Sequence, residues 1–194
     1  MLKTIDSAYI AEQVSTAVTK KNIFGAVLCV ENGDNTLSFS NGAGNLTENT
    51  PYFIASVTKL YVTAILLKLK YENKLQLEQT ISEFLPGEVL DGLHLYRGMD
   101  YSKNITIKQL MSNTSGIPDY FTSDVIKQLS SGKDQAWGFD RVIASAKSKE
   151  PKFAPGKRAQ YSDTNFQLLG RIIETMLQSP NTYVCHPISF RLIQ

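Results

Sequence analysis

The sequence predicts an α+β fold, because its strand-like and helix-like segments lie in different parts of the chain. Two β-rich runs occur near the N-terminus, at residues 24–31 and 36–41. From about residue 50 onward, strand signals almost vanish and apolar side chains recur at helical spacing. This segregation is typical of an antiparallel sheet that is packed with helices and has a helical lobe beside it. A chain of 194 residues is long enough to bury roughly 70% of its unfolded surface, so a real core is expected.

The N-terminal elements are a helix and a hairpin. Ile5, Ile10 and Val14 stand at helical spacing and predict a helix over residues 5–20. The cluster Asn32-Gly33-Asp34-Asn35 between the two β-rich runs marks a hairpin turn. A lone hairpin is marginally stable, because sheets usually need three or more strands. We therefore expect strands outside this sequence to complete the sheet, and we expect self-association through the exposed edge.

Composition argues against several classes of partner. The chain has 20 Lys+Arg against 18 Asp+Glu, and no basic cluster stands beside exposed aromatic residues, which disfavours nucleic acid. The longest strongly apolar run, "LYVTAILL", is far shorter than the about 20 residues that span a bilayer. The N-terminal segment has acidic residues and no apolar centre of a secretory signal. These features predict a cytoplasmic protein without a membrane span, or a periplasmic or extracellular one if a leader has been removed.

Cysteine and histidine are too sparse to suggest a metal site. Cys29 and Cys185 lack CxxC spacing, and we expect both to be free thiols. His94 and His186 have no second ligand at metal-binding spacing. The sequence therefore predicts neither a metal nor a cofactor.

The candidate nucleophile lies in "PYFIASVTKLYVTAILLKLK", residues 51–70, where Ser56 and Lys59 are three residues apart. Residues at this spacing share one face of a helix, and a lysine can activate a serine as a nucleophile. The alternative without catalysis is that Ser56 is a helix N-cap and Lys59 a solvated residue of the first turn. Ser130-Ser131-Gly132-Lys133 has the same spacing, but no apolar run follows it. Only Ser56 enters a helix pattern, whose apolar residues predict a wide buried face that includes Val57, Leu60 and Leu67 to Leu69.

A second candidate segment is "FAPGKRAQYSDTNFQLLG", residues 153–170, in which a Pro-Gly turn leads to Tyr161-Ser162-Asp163. Tyr71-Glu72-Asn73 is a similar triplet on the helix of Ser56. Tyr71 is 15 residues from Ser56, or roughly 22 Å along that helix, and cannot share a proton with it. Tyr161 comes from a distant loop, so the fold can bring it to Ser56.

Four segments together resemble the serine β-lactamase-related family, which includes class C β-lactamases, D-alanyl-D-alanine carboxypeptidases and carboxylesterases. They are "FIASVTKLYVTAILLKL", "KLQLEQTISEFLPG", "ITIKQLMSNTSGIPDYF" and "FAPGKRAQYSDTNFQLLGRIIE", and the likeness covers roughly residues 8–175. The resemblance implies a β-lactamase/transpeptidase-like fold. It also implies that Ser56 forms an acyl-enzyme, that Lys59 is its hydrogen-bonded partner and that Tyr161 is the general base or acid. The backbone N–H of Ser56 would be one oxyanion donor, and an N–H from a late strand would be the second.

The sequence departs from this family at two places. Asp163 stands where an asparagine is most familiar, and an ionised carboxylate can only accept hydrogen bonds. Asp163 is expected to contact the substrate, to raise the pKa of Lys59 and to favour esters over β-lactams and peptide amides. No Lys/His-Thr/Ser-Gly triplet, the third motif of the family, follows Tyr161. We therefore expect residues 1–178 to form an incomplete β-lactamase-like domain, followed by an atypical, truncated or frame-shifted tail at residues 179–194.

These patterns favour a serine hydrolase that acts through an acyl-enzyme on an ester or amide: a β-lactam, a D-Ala peptide or a short ester. The alternative from another class is a catalytically inactive fragment or a penicillin-binding module. A Ser-His-Asp hydrolase is the weakest reading, because neither histidine stands in a recognisable motif. The expected partner is a small-molecule or peptide acyl substrate.

Overall fold

Helices dominate the described part of the chain, which comprises residues 6–34, 36–131 and 137–177 of a computed structural model. The helices are α1 (Ser7–Val18), α2 (Thr58–Tyr71), α3 (Gly87–Leu90), α4 (Ile107–Met111), α5 (Ser123–Ser130), α6 (Phe139–Lys147) and α7 (Asp163–Leu177). The strands are β1 (Gly25–Glu31), β2 (Ser38–Gly44), β3 (Leu95–Tyr96) and β4 (Met99–Asp100). The predicted α+β class is confirmed. The chain divides into two units between Phe53 and Ile54.

The first unit contains α1 and the predicted hairpin. Asp6 caps α1 by accepting a hydrogen bond from the N–H of Tyr9 at 2.8 Å, so the helix begins at Ser7 and is shorter than the predicted span of 5–20. Ile10 and Val14 are buried, one turn apart on the same side of α1. They cover the hairpin, because α1 packs on both β1 and β2.

The hairpin is antiparallel, with Gly25 opposite Gly44 and Glu31 opposite Ser38. β2 lies later in the chain than predicted, because the turn extends to Leu37, whose N–H donates to Asn32 Oδ1 at 2.8 Å. Pairing then continues to Gly44, which has a φ of +71°. A β-carbon there would lie 2.3 Å from the carbonyl oxygen of Phe24, so only glycine fits this end of the hairpin.

The core of the second unit surrounds α7, which packs against α2, α4 and α6. The apolar spacing of α7 places its buried side chains on the sides that face these helices. The fully buried members of this core include Leu66, Ile107, Leu110, Leu168, Leu169 and Ile172. Because α7 begins at Asp163 and α2 begins just after Ser56, the packing of α7 against α2 fixes the positions of the two predicted site segments relative to each other.

The buried face of α2 differs from the predicted one. Val62, Leu66 and Leu69 are buried, whereas Val57 and Leu60 are 51% and 70% exposed. The segment is apolar on most sides, so its sequence period does not specify which face packs. The packing of α2 against α7 makes that choice.

A second, very short hairpin was not predicted. β3 and β4 pair through Leu95 opposite Asp100 and Tyr96 opposite Met99. Arg97 and Gly98 form its two-residue loop with φ values of +50° and +79°, as tight hairpin turns require. Strands of two residues are too short to show an alternating pattern, so this hairpin leaves only a turn signal in the sequence.

None of the described helices is long and apolar enough to cross a membrane. Cys29 is exposed and bears a free thiol. Cys185, His186 and the tail predicted at residues 179–194 lie outside the described residues.

Candidate active site

Ser56 lies in a single turn of 3₁₀-helix, Ala55–Val57, which leads directly into α2. It does not cap α2, because the residue at the cap position is Val57, which makes no side-chain capping bond. Ala55 has a φ of +47°, a left-handed conformation that costs a residue with a β-carbon roughly 1–2 kcal/mol. Backbone strain of this kind clusters at functional sites, and here it immediately precedes the predicted nucleophile.

Lys59 lies three residues after Ser56, about one helical turn, and its side chain is 17% exposed. Its Nζ donates to Ser56 Oγ at 3.1 Å and also to Asp163 Oδ1. The ammonium lies 4.9 Å from the centroid of the Tyr161 ring and 5.4 Å from that of Phe166, within the range of cation–π attraction. The solvated lysine of the alternative reading is therefore not what the structure contains.

Tyr161 reaches the same point from the distant loop. Its hydroxyl lies 2.6 Å from Ser56 Oγ, and either oxygen can be the donor. The Tyr161 hydroxyl also donates weakly to Asp163 Oδ1 at 3.4 Å. The four predicted site residues, Ser56, Lys59, Tyr161 and Asp163, thus form one connected hydrogen-bonded group.

Asp163 controls the charge of Lys59. Burial by itself would lower the pKa of Lys59, but the hydrogen bond with Asp163, and then that with Tyr161, outweigh burial and raise this pKa above its ordinary value. Lys59 is consequently an ammonium at neutral pH. An ammonium donates and cannot accept, so it can orient the Ser56 oxygen but cannot take its proton.

The start of α7 is held by the loop that follows α4. The N–H of Asp163 donates to Asp119 Oδ1 at 3.1 Å, and the Thr164 hydroxyl donates to the carbonyl oxygen of Pro118 at 2.8 Å. Burial, and after it the negative charge of Asp163, raise the pKa of Asp119. Lys149 Nζ donates to the backbone carbonyl of Asp119 at 2.5 Å, which places a cation near the Asp119 carboxyl group.

Sequence reasoning missed Asp119. It lies within "ITIKQLMSNTSGIPDYF", one of the four segments of the resemblance, but in a loop without periodicity. The only signal available from the sequence was a polar residue after Pro118, and polar residues are common in loops.

The two look-alike motifs lie elsewhere. Ser130 ends α5, where its hydroxyl donates to the carbonyl of Ile126 at 2.9 Å, and Lys133 lies outside the described residues. Tyr71, at the end of α2, is 88% exposed. His94 is fully buried, and its Nε2 pairs with the carbonyl oxygen of Phe153 at 3.1 Å. Its ring therefore activates no serine among the residues that the structure describes.

Two further features bear on the location of the site. Over residues 6–34, 36–131 and 137–177, no group of three or more His, Cys, Asp or Glu side chains could hold a metal ion. A cleft of about 620 Å³ is lined by residues that include Tyr96, Arg97 and Lys147. None of its lining residues belongs to the Ser56 group, and the Lys147 ammonium already donates to the carbonyl of Glu88 at 2.7 Å. We therefore place the candidate site at Ser56 and not in this cleft.

A serine and a lysine at a helix start that face a tyrosine from a distant loop define a class, the serine β-lactamase-related proteins. The beta-lactamase family model matches residues 10–182. "Protein flp" of Staphylococcus aureus (strain COL) is 31% identical over 182 residues. A "Putative D-alanyl-D-alanine carboxypeptidase" of Salmonella paratyphi A is 30% identical over 135 residues, 69% of this chain and 30% of that protein. The chain belongs to the beta-lactamase family, as the resemblance implied.

Solved structures give the same fold. A D-stereospecific amidohydrolase from Streptomyces sp. has a TM-score of 0.74 at 27% identity and covers 93% of this chain and 52% of its own. D-amino acid amidase from Ochrobactrum anthropi SV3 has a TM-score of 0.70 at 19% identity, over 92% of this chain and 47% of its own. The alignment with "Protein flp" covers 88% of this chain but 34% of that protein. The chain thus spans about a third of the curated relatives and about half of these solved ones.

Proposed function

We propose that this chain carries the nucleophile and the proton-transfer groups of a serine hydrolase that acts through an acyl-enzyme at Ser56. The observation that carries the proposal is the 2.6 Å separation between Ser56 Oγ and the Tyr161 hydroxyl, with Lys59 Nζ 3.1 Å from the same serine oxygen. These distances lie within hydrogen-bond reach of a nucleophile and its activating groups. No histidine is needed in this arrangement, which is a variant of the Ser-His-Asp triad.

The proposed chemistry begins when Ser56 Oγ attacks the carbonyl carbon of the acyl substrate. The Ser56 proton moves to the Tyr161 oxygen while the phenolic proton moves toward the Asp163 carboxylate, 3.4 Å away. The reverse transfer protonates the leaving alkoxide or amine, and the acyl group remains on Ser56. Water then attacks the acyl carbon and gives its proton to the Tyr161 oxygen in the same way. The bond between the acyl group and Ser56 breaks, Ser56 regains its proton, and the acid is released. Lys59 stays charged and stabilises the negative charge that develops on the serine oxygen.

The proposed substrate is an ester or an amide of the kinds handled by related proteins: a β-lactam, a D-Ala peptide or a short ester. The relatives named a putative D-alanyl-D-alanine carboxypeptidase and a D-stereospecific amidohydrolase favour an amide. Asp163 favours an ester, because a carboxylate cannot donate a hydrogen bond to a substrate carbonyl as an asparagine amide can. We propose esters as the faster substrates at this site.

A fluorophosphonate and a penicillin test the nucleophile directly. Both should add covalently to Ser56, and intact-mass analysis should show a single adduct that disappears in Ser56→Ala. Ser130→Ala is the matched control, because Ser130 has the same spacing to a lysine but hydrogen-bonds within α5. An adduct that survives Ser56→Ala would overturn the assignment, whether or not it disappears in Ser130→Ala.

A turnover assay on the same protein separates hydrolysis from binding alone. A late-strand oxyanion donor is implied by the family resemblance, and loss of one such donor typically slows acyl transfer by about 10²–10³-fold. With these 194 residues we therefore expect Ser56 to be acylated, but p-nitrophenyl butyrate to be turned over slowly. A stable penicillin adduct at Ser56 without any turnover of the ester would instead favour the penicillin-binding module. A permanently charged Lys59 is compatible with that alternative too.

A further inference from the structure

Asn113 contacts the residues on both sides of Tyr161. Its backbone carbonyl oxygen accepts a hydrogen bond from the N–H of Gln160 at 2.8 Å. Its side-chain Oδ1 accepts one from the N–H of Ser162 at 3.2 Å. One residue therefore binds the peptide N–H groups immediately before and after the tyrosine.

This support matters because the backbone around Tyr161 lies outside regular secondary structure. Residues 158–162 belong to no helix or strand, and the tyrosine itself is 51% exposed. A backbone that lacks secondary structure needs acceptors from elsewhere for its N–H groups. The bond to Ser162 restrains the peptide unit that follows the Tyr161 Cα, and the bond to Gln160 anchors the chain one residue earlier, so together they limit where the ring can point.

The conformation of Asn113 allows both bonds. It has a φ of +56°, and its N–H donates to the carbonyl of Leu110 at 3.1 Å where α4 ends. Glycine and asparagine are the residues that tolerate this left-handed position at a helix end. Glycine would preserve the helix end but would lose the acceptor for Ser162, so the two roles together select asparagine or aspartate.

The Asn113 side chain is itself oriented from α7. Asn165 Nδ2 donates to Asn113 Oδ1 at 3.0 Å, and the Ser115 hydroxyl donates to Asn165 Oδ1 at 2.7 Å. Asn165 and Ser115 are both fully buried. Buried polar groups that satisfy one another hold a specific geometry, so the acceptor that faces Ser162 is held by the core.

We propose that Asn113 is a positioning residue that holds the Tyr161 hydroxyl against Ser56. The proposal rests on the proposed function for its effect on rate, but its effect on the position of Tyr161 can be measured without any reaction. The hydrogen bonds of Asn113 near the site run to Gln160 and Ser162 and not to Ser56, so it acts through the segment that carries Tyr161.

The test compares Asn113→Gly, Asn113→Asp and Asn73→Gly. Asn73 has a φ of +55° after α2, and its N–H likewise donates to a helix carbonyl, that of Lys70 at 3.0 Å. Asn73→Gly therefore makes the same exchange at a left-handed helix end far from Tyr161 in the hydrogen-bond network. Asn113→Asp keeps both the conformation and an acceptor for Ser162.

Two readouts are measured on each variant. The first is the NMR signal of ¹³Cζ-labelled tyrosine, with the Tyr161 signal assigned by its loss in Tyr161→Phe. The second is the rate of fluorophosphonate labelling at Ser56. In Asn113→Gly we expect the Tyr161 signal to move toward that of solvent-exposed tyrosine and labelling to slow by about 10- to 100-fold, the scale of a displacement of about 1 Å. Asn113→Asp should remain within a few-fold of the original rate, and Asn73→Gly should match it.

The outcomes separate the two proposals. If Asn113→Gly leaves the Tyr161 signal unchanged, or if Asn73→Gly moves it equally, the positioning role is wrong. If the original chain is not labelled but the Tyr161 signal responds to Asn113→Gly alone, the positioning role stands and the proposed hydrolase function fails. If the signal responds and labelling does not slow, Asn113 positions the ring without consequence for the reaction, and the inference is overturned.

Discussion

Lys59 and Asp163 are the residues whose charges decide how the site can work. Lys59 is largely buried, and burial alone would favour a neutral amine that could act as a base. The bonded Asp163 reverses this tendency and raises the pKa of Lys59. In the proposed mechanism the carboxylate therefore shifts the base role to Tyr161, whose hydroxyl lies 2.6 Å from the Ser56 oxygen.

Asp163→Asn should slow Ser56 acylation near neutral pH and make its rate increase as the pH rises. The variant lacks the carboxylate that accepts the Tyr161 proton in the proposed mechanism, so acylation then needs a neutral Lys59. Burial lowers the pKa of Lys59 once the bond with Asp163 is lost. The measurement is the rate of fluorophosphonate labelling between pH 5 and pH 10. A rate and a pH profile that are unchanged in Asp163→Asn would show that Asp163 does not accept the proton.

The Asp163→Asn variant also tests substrate choice, when it is made in a version of the protein that hydrolyses its substrates at a measurable rate. Asparagine restores an amide donor, so the ratio of cephalosporin cleavage to p-nitrophenyl butyrate cleavage should rise. Asp124→Asn provides the control, because Asp124 lies exposed on α5 with a weak ion pair to Lys127 at 3.6 Å. An equal ratio in the original chain and in Asp163→Asn would mean that Asp163 does not contact the substrate.

α4 is the element on which the loop carrying Asn113 and Asp119 depends. It has only five residues, too few to form a stable helix by themselves. Its first N–H groups are all paired: Ile107 donates to Gln79, Lys108 donates to Leu77, and Gln109 donates to the Thr106 hydroxyl. The Gln109 side chain returns a bond by accepting from the Thr106 N–H at 3.0 Å, which completes a capping box.

Thr106→Ala should lower the free energy of unfolding by about 1 kcal/mol, because the N–H of Gln109 loses its acceptor. Thr175→Ala is the comparison: Thr175 is exposed on α7 and its hydroxyl donates to the carbonyl of Arg171 at 3.0 Å. That change should cost less than about 0.5 kcal/mol. Urea unfolding of both variants measures the difference, and equal costs would contradict a special role for the cap.

At the scale of the whole molecule, buried His94 links stability to pH. Burial lowers its pKa below the ordinary value. Its main-chain N–H donates to Ser102 Oγ at 2.8 Å, and Nδ1 has no hydrogen-bond partner among the described residues. The unfolded chain therefore binds a proton at His94 more readily than the folded chain does, and protonation favours unfolding.

Stability should consequently decrease as the pH falls through about 6.5, the ordinary pKa of histidine, toward the lower pKa of the folded state. For one proton the slope is at most about 1.4 kcal/mol per pH unit. His94→Gln retains an N–H donor for Phe153 and cannot titrate, so the loss of stability between pH 7 and pH 5.5 should be smaller in this variant. Denaturant unfolding at both pH values tests this, and identical slopes in the two proteins would exclude His94 as the cause.

Self-association is the second prediction at this scale. Within the described part of the first unit, β1 and β2 pair only with each other, so each has an unpaired edge. Light scattering in reducing buffer should show an apparent mass that increases with concentration. Cys29→Lys, at an exposed position of β1, should reduce this increase, whereas Cys29→Ser should not. A single monomer mass at all concentrations would refute the prediction.

The sequence by itself determined what depends on neighbours along the chain. The Ser56–Lys59 contact follows from helix geometry, the hairpin from its turn residues, and the Thr106 cap from its spacing to Gln109. Only the tertiary structure decided which face of α2 is buried, that Asp119 binds the start of α7, and that Asn113 flanks Tyr161. The hydrogen bonds of Asp119 with Asp163 and of Asn113 with Ser162 join residues that are 44 or more positions apart in the sequence. No periodicity encodes such contacts, because they arise when separate segments pack around one core, and loop residues carry no repeating pattern that would announce their partners.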